Sequence, residues 1–459
     1  MIAVSQRQHE LPDGPCLESP ENVHPELPVA RLAVAYVLLV PLVLFAAHGG
    51  FSFEHSSWNS DLGAFGGKMA VATTDAEAMR DSVQTAIGLT LCLTAMASYI
   101  RQLAGSLQST LLMLVLPIYA VSSSLWSQGP GTSLRSGLSL LVTTLFAIYL
   151  AERFSELQQM ELLMLVGACV GAGCVVVALV WPQFGVDHQL HEGAWQGIFT
   201  QKNACAEAML FLLTPALALP AHGRYGQLLR ALYLALGLLV ILMTESRTGW
   251  AIAVTYFGFA GSLRVLRRFG GKDLLPLTAL LFGLAGTLVV AVLEYPVLVL
   301  SLIGRSGSFS GRAQIWGAIV DSILRRPWGG YGFDAFWSML NGEATRVFSA
   351  TGWVVTSAHS GFLNVALELG LVGFALVLLT LIQAWRHAMA AFRPGHSSYV
   401  DWCIGIVFLT IIYNLDERTF MAPQYLPWIL YIVACTGLGK AAYRNEGAGM
   451  ELRMVEEMA

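Results

Sequence analysis

Charge is scarce in this chain: only 12% of its 459 residues are Asp, Glu, Lys or Arg. Lysine is scarcer still, with four against 22 arginines. A soluble domain carries about a quarter of its residues charged, so composition argues against one. The cations are scattered rather than gathered on a basic face, which excludes nucleic acid as a partner. Cysteine is also sparse. Cys16, Cys92, Cys169, Cys174, Cys205, Cys403 and Cys435 fit no zinc or disulfide spacing, and none falls in the polar stretch 294–360. Six lie in or beside apolar runs, where free thiols act as small core residues. No soluble domain, internal repeat or low-complexity tract stands out. The polar, acidic first thirty residues hold no cleavable signal peptide, and the first apolar run serves as an uncleaved one.

What is abundant is apolar length. The chain is 55% hydrophobic with a mean hydropathy of +0.61. Runs able to cross a ~30 Å hydrocarbon core lie near 32–50, 85–100, 108–126, 136–152, 160–181, 204–220, 229–245, 250–266, 274–293, 361–384, 400–415 and 424–440. The expected fold is all-α, a polytopic transmembrane bundle of about 12 helices. With the N-terminus inside, inside segments hold 15 Lys and Arg, short outside loops 6 and the long loop 5. That bias places both termini in the cytoplasm and the long loop outside. Residues 1–30 then form a cytoplasmic polar tail, 31–293 helices one to nine, 294–360 the large periplasmic loop, 361–440 the last three helices and 441–459 a cytoplasmic tail.

The long loop contains Arg305, Arg312, Arg325, Arg326 and Arg346 and no lysine. A guanidinium binds phosphate oxygens through a bidentate fork that an ammonium cannot form. Residues 311–326 predict an amphipathic helix with Ile315, Trp316, Ile319, Val320, Ile323 and Leu324 on one face. Pro327 ends it, and 328–332 form a glycine-rich turn. Asp321 and Arg325 fall on the solvated side as an i,i+4 pair, whereas Arg312 falls inside the apolar arc in the first turn. A cation there either holds an anionic ligand at the helix N-terminus or pairs with a carboxylate such as Glu294.

Three more polar patches reach the same side: Trp195 to Lys202-Asn203, Glu245-Ser246-Arg247-Thr248-Gly249-Trp250, and Asp416-Glu417-Arg418. Arg247 and Lys202 either touch a ligand or anchor helix ends. Trp195, Trp250 and Trp337 read most simply as interfacial aromatics. His359 opens the tenth run and shares a helical stripe with Leu363, Ala366, Gly370 and Gly373, the glycines admitting a neighbouring helix. A lone histidine is ordinarily a packed residue; beside an arginine set it is a candidate proton acceptor. Glu368, more than two turns deeper, reads as structural.

His359-Ser360, nine residues, then Gly370-Leu371-Val372-Gly373 resembles the signature of the O-antigen ligase and polymerase superfamily of bacterial envelopes. Gly197-Ile198-Phe199 with Lys202-Asn203, Ser246-Arg247-Thr248-Gly249, and Gly311-Arg312 through Trp316 to Gly330-Tyr331-Gly332 resemble its other blocks, in order. Ser360 stands where asparagine is more usual. The resemblance implies a fold similar to type C glycosyltransferases and a metal-independent, inverting transferase of the bacterial inner membrane without cofactor. The donor would be an undecaprenyl-diphosphate-linked oligosaccharide. Arg247 and Arg312, with Lys202, would hold the diphosphate, and His359 with Arg312 would act at the reacting centre. Asn203, Ser360, Trp316, Gly370 and Gly373 would support them. A polymerase would use a lipid-linked repeat unit as acceptor, with a chain-length regulator as a compatible partner; a ligase would use lipid A–core. A flippase for the same lipid is the rival from another class, but it would gather ionisable groups at the midplane.

Overall fold

The computed structural model describes residues 41–43, 86–96, 100–188, 192–219, 223–294, 311–338, 342–351 and 357–458, with side chains for all but 100–110, 292–294, 311–314, 351 and 446–458. The helices are α1 (Ala86–Met96), α2 (Ile100–Ser122), α3 (Pro130–Arg153), α4 (Glu156–Val180), α5 (Lys202–Ala218), α6 (Gly223–Met243), α7 (Arg247–Phe269), α8 (Leu275–Glu294), α9 (Gly311–Arg325), α10 (Ala344–Thr351), α11 (Gly361–Ala391), α12 (Ser398–Asp416) and α13 (Leu426–Met458). Among the described residues, eight helices are long and apolar enough to cross a membrane, and α5 has 17 residues. The chain is a polytopic helical membrane protein. The run expected at 32–50 lies outside the described residues except for helical 41–43.

Local chemistry sets the helix ends. Ser155 and Gln158 form a capping box at α4, and Ser246 accepts from Gly249 N at α7. Gly270, with φ +67°, ends α7 in a left-handed turn. α5, α12 and α13 are buried along most of their length, whereas α6 and α8 expose most of their apolar surface. Hydroxyls tie the interior together: Trp402 Nε1 donates to Thr214 Oγ1 at 2.8 Å and Trp428 Nε1 to Thr144 Oγ1 at 3.0 Å. In an apolar surrounding such bonds replace water that is not available.

α11 is not continuous. Gly370 has φ 67° and ψ −170°, and the chain from Pro327 to Phe336 enters the break. Pro327 O accepts from Leu371 N at 2.6 Å, while Tyr331 N and Gly332 N donate to Leu367 O and Glu368 O at 3.2 and 2.8 Å. Across the wedge, Trp126 Nε1 donates to Gly329 O, Gln128 N to Tyr331 O and Ser133 Oγ to Phe333 O. Gly370 lies about 14 Å along α11 from its start. Irregular backbone at such depth persists only when protein satisfies its polar groups, and here it does. The glycines were expected to admit a neighbouring helix. A turn fills that place, because only backbone without a Cβ can come within bonding distance of the interrupted ladder.

The wedge carries Asp334 to Glu368. Arg418 pairs with Asp334 Oδ1 at 3.1 Å and with Glu368 Oε2 at 3.5 Å, and Asp334 N donates to the same Glu368 oxygen. Burial disfavours the Arg418 charge, but Glu368 and Asp334 outweigh it and raise the guanidinium pKa. Glu368 is thus a paired, structural carboxylate. Replacing Arg418 by methionine leaves Glu368 buried without its cation, with an expected cost of about 3–5 kcal/mol. A lowered unfolding midpoint in detergent, partly restored by adding Glu368→Leu, is the expected measurement.

α9 is amphipathic as its spacing predicts, but its buried stripe is narrower. Ile315, Ile319 and Ile323 pack with Phe336, Val347 and Leu367, while Val320 and Leu324 are exposed. The expected Asp321–Arg325 pair gives way to Glu343, which sits 3.7 Å from Arg325 Nε and 3.0 Å from Arg346 Nε. α10 brings Glu343 over α9, a tertiary approach that helical spacing alone does not encode.

Candidate functional site

Three helix starts and one helix end meet at one end of the bundle. Ser246, the N-cap of α7, donates to Asn203 Oδ1 in the first turn of α5 at 2.8 Å. Asn203 Nδ2 reaches Glu417 Oε1 at 3.4 Å, just past the end of α12. Glu417 Oε2 lies 3.9 Å from His359 Nδ1, and Glu417 O accepts from Gly361 N at 3.0 Å, the first residue of α11. Hydrogen bonds therefore join the four segments from Ser246 through Asn203 and Glu417 to Gly361, and His359 Nδ1 lies within ion-pair distance of the same Glu417 carboxylate.

His359 does not belong to α11. Its φ is +45°, Ser360 is the N-cap that follows it, and Ser360 Oγ accepts from Leu363 N while donating to Asn414 O at 3.3 Å. The helical stripe expected for His359 therefore begins only after it. The turn presents the imidazole at the rim, about a quarter exposed, with Nδ1 toward Glu417. Asn414 fixes the turn beyond α12 by accepting from Thr419 N and Phe420 N.

The remaining predicted residues group around this relay. Lys202 Nζ donates to Glu245 O at 3.3 Å in the α6–α7 turn. Arg247 is the first residue of α7, next to Ser246; its side chain is exposed, and among the described residues nothing bonds to it. Trp316 Nε1 donates to Ala358 O at 3.1 Å, which brings the start of α9 beside His359. Arg312 stands one turn before Trp316, in the first turn of α9. Its side chain lies outside the described residues, as does that of Glu294. Gly370 shapes the break below, and the space beside Gly373 is occupied by Leu369 of its own helix.

Trp337, expected as an interfacial aromatic, instead donates to Asn364 Oδ1 at 2.9 Å and stacks edge-on with Phe336. Trp250 donates to Ile241 O. Glu417 is the residue sequence reading did not single out. It stood in a noted polar patch, but its place between Asn203 and His359 depends on contacts spanning more than fifty residues. Among the described residues no group of three or more His, Cys, Asp or Glu is placed to hold a metal ion.

Residues 232–378 match the O-antigen ligase family, an interval that contains Arg247, Arg312, His359, Gly370 and Gly373 but neither Lys202 nor Asn203. Over 349 residues the chain is 24% identical to the exopolysaccharide production protein ExoQ of Rhizobium meliloti (strain 1021), covering 73% of this chain and 78% of that protein. Polytopic helices, the His359 turn with the glycine break behind it, and these two matches agree: over residues 232–378 the chain is similar to the O-antigen ligase family, and over most of its length to an exopolysaccharide production protein.

Proposed function

We propose that the chain is an inner-membrane glycan polymerase. It transfers a glycan from an undecaprenyl-diphosphate-linked donor to a lipid-linked repeat unit at the periplasmic face. The observation that carries this reading is the Ser246–Asn203–Glu417–His359 relay, which gathers the starts of α5, α7 and α11 around one imidazole. Likeness to an exopolysaccharide production protein favours polymerase over ligase. Transfer to lipid A–core is the second reading, favoured by the O-antigen ligase family match.

In this mechanism the acceptor hydroxyl attacks the anomeric carbon as the bond to the diphosphate oxygen breaks, inverting the centre. Glu417 orients His359 through Nδ1, leaving Nε2 to take the hydroxyl proton. Negative charge grows on the departing diphosphate, where Arg247, Arg312 and Lys202 stabilise it. These guanidinium groups take the charge-compensating role that a divalent ion has elsewhere. A chelator added to the purified enzyme is expected to leave transfer unchanged; loss restored by a metal would refute that.

Arg247→Lys keeps the charge but loses the fork, and about a tenfold or greater fall in transfer is expected. Turnover equal to the parent enzyme would reduce Arg247 to an anchor. The deciding experiment offers purified enzyme a defined lipid-diphosphate glycan with either a second repeat unit or lipid A–core. Elongation of the repeat unit supports polymerase, and modified lipid A–core alone supports ligase.

A further inference from the structure

The end of the bundle opposite His359 carries a second charged recess. α7 runs from Arg247 at the site end to Arg264, about 25 Å along its axis. There Arg264 and Arg267 line a recess of about 40 Å³ with Thr214, Ser398, Asp401 and Trp402. This is room for about three waters, comparable to the oxygens of one phosphate group. Arg267 also lines an adjoining hollow with Lys272 and Arg393.

The charges do not cancel. Four cations border the two hollows against one carboxylate, Asp401. Asp401 is already engaged on both oxygens, by His396 Nε2 at 2.6 Å and by Arg267 NH1 at 2.7 Å. Arg264 donates to the carbonyl of Leu217, at the end of α5, and among the described residues no carboxylate pairs with it. A part-buried guanidinium bonded only to a neutral acceptor keeps most of its five donors for an anion.

The flanking surface indicates where the anion comes from. Phe269, Leu274, Leu277 and Leu281 are exposed apolar residues on and beside the start of α8. They offer an acyl chain a path next to the cations. Basic hollows between helices at the inner leaflet are suited to anionic headgroups, and this end faces that leaflet if His359 faces the periplasm.

We propose that Arg264, Arg267, Lys272 and Arg393 form a binding site for the phosphate group of an anionic phospholipid. It is separate from the glycan-transfer site and does not depend on the proposed reaction. The test uses the full chain in zwitterionic detergent, with the heat-unfolding midpoint as readout. Phosphatidylglycerol is expected to raise the midpoint by a few degrees over an equal amount of phosphatidylcholine. Inorganic phosphate is the second arm: a rise with phosphatidylglycerol but not phosphate assigns the lipid, and an equal rise with both assigns a free phosphate anion instead and overturns the lipid.

Arg264→Gln is expected to raise the half-saturating lipid concentration about tenfold. Lys272→Gln, in the short half-buried turn between α7 and α8, is expected to raise it by a smaller factor. It serves as the reporter if Arg264→Gln unfolds early in phosphatidylcholine. No shift with either ligand, or full response in both variants, would overturn the site.

Discussion

A His359→Ala chain is expected to insert and fold as the parent does, yet to transfer glycan at least about 10²-fold more slowly. The folding half of this expectation rests on position. His359 lies at the rim, outside α11, and Ser360 caps the helix without it. The catalytic half rests on the relay, which ends on this imidazole. One complication is built into the backbone: at φ +45° alanine carries a cost of about 1–2 kcal/mol. His359→Asn removes the imidazole while tolerating the left-handed conformation, so both variants should be inactive and asparagine should fold better. Long-chain polysaccharide at normal levels from both would remove His359 from the reaction. Glu417→Gln keeps the side chain's size and should cost less, about tenfold, because it disturbs orientation and leaves the acceptor of the proton in place.

Gly370→Ala is expected to prevent folding rather than catalysis. At φ 67° and ψ −170° the residue occupies a region open in practice only to glycine, worth about 1–3 kcal/mol of strain for any other residue. A Cβ there would also lie 2.2 Å from Trp328 O and 2.7 Å from Gly329 N, both backbone atoms held by the wedge. Neither side can yield without opening the bonds that close the break in α11. The expected loss is about 3 kcal/mol or more, seen as failure to recover a monodisperse protein from detergent extracts. Gly317→Ala on α9 is the control. Its Cβ would meet nothing within 4 Å, and helix propensity predicts a gain of up to about 1 kcal/mol. Equal recovery of the Gly370 and Gly317 variants would show that the wedge is dispensable.

Helix existence was legible because bilayer-length apolar runs leave few alternatives. The predicted runs at 160–181 and 274–293 correspond to α4 and α8. The break in α11 was not legible. Gly370 and Gly373 have the same spacing whether a helix or a turn approaches, and the partner that decides it, Trp328-Gly329, is some forty residues away. The pairing of Glu368 with Arg418 is equally non-local. In the candidate site, Lys202, Asn203, Arg247 and Ser360 stood out in the sequence because each sits at a helix start, where sequence marks both the cap and the charge. Glu417 follows a helix end, and its importance comes only from the neighbours the fold supplies.

The wedge also constrains how the protein is made. Its sockets, Ser123, Gln128 and Ser133, are synthesised some 200 residues before Phe333 arrives to use them. At ribosomal speeds of about 5–20 residues per second, that corner waits about 10–40 s. During this interval Ser123 Oγ and Ser133 Oγ have only their local partners, Ala120 O and Ser127 Oγ, and the Gln128 side-chain amide lacks its long-range acceptors. An insertion chaperone or retained water would have to shelter them, and variants that shorten the delay should mature in higher yield.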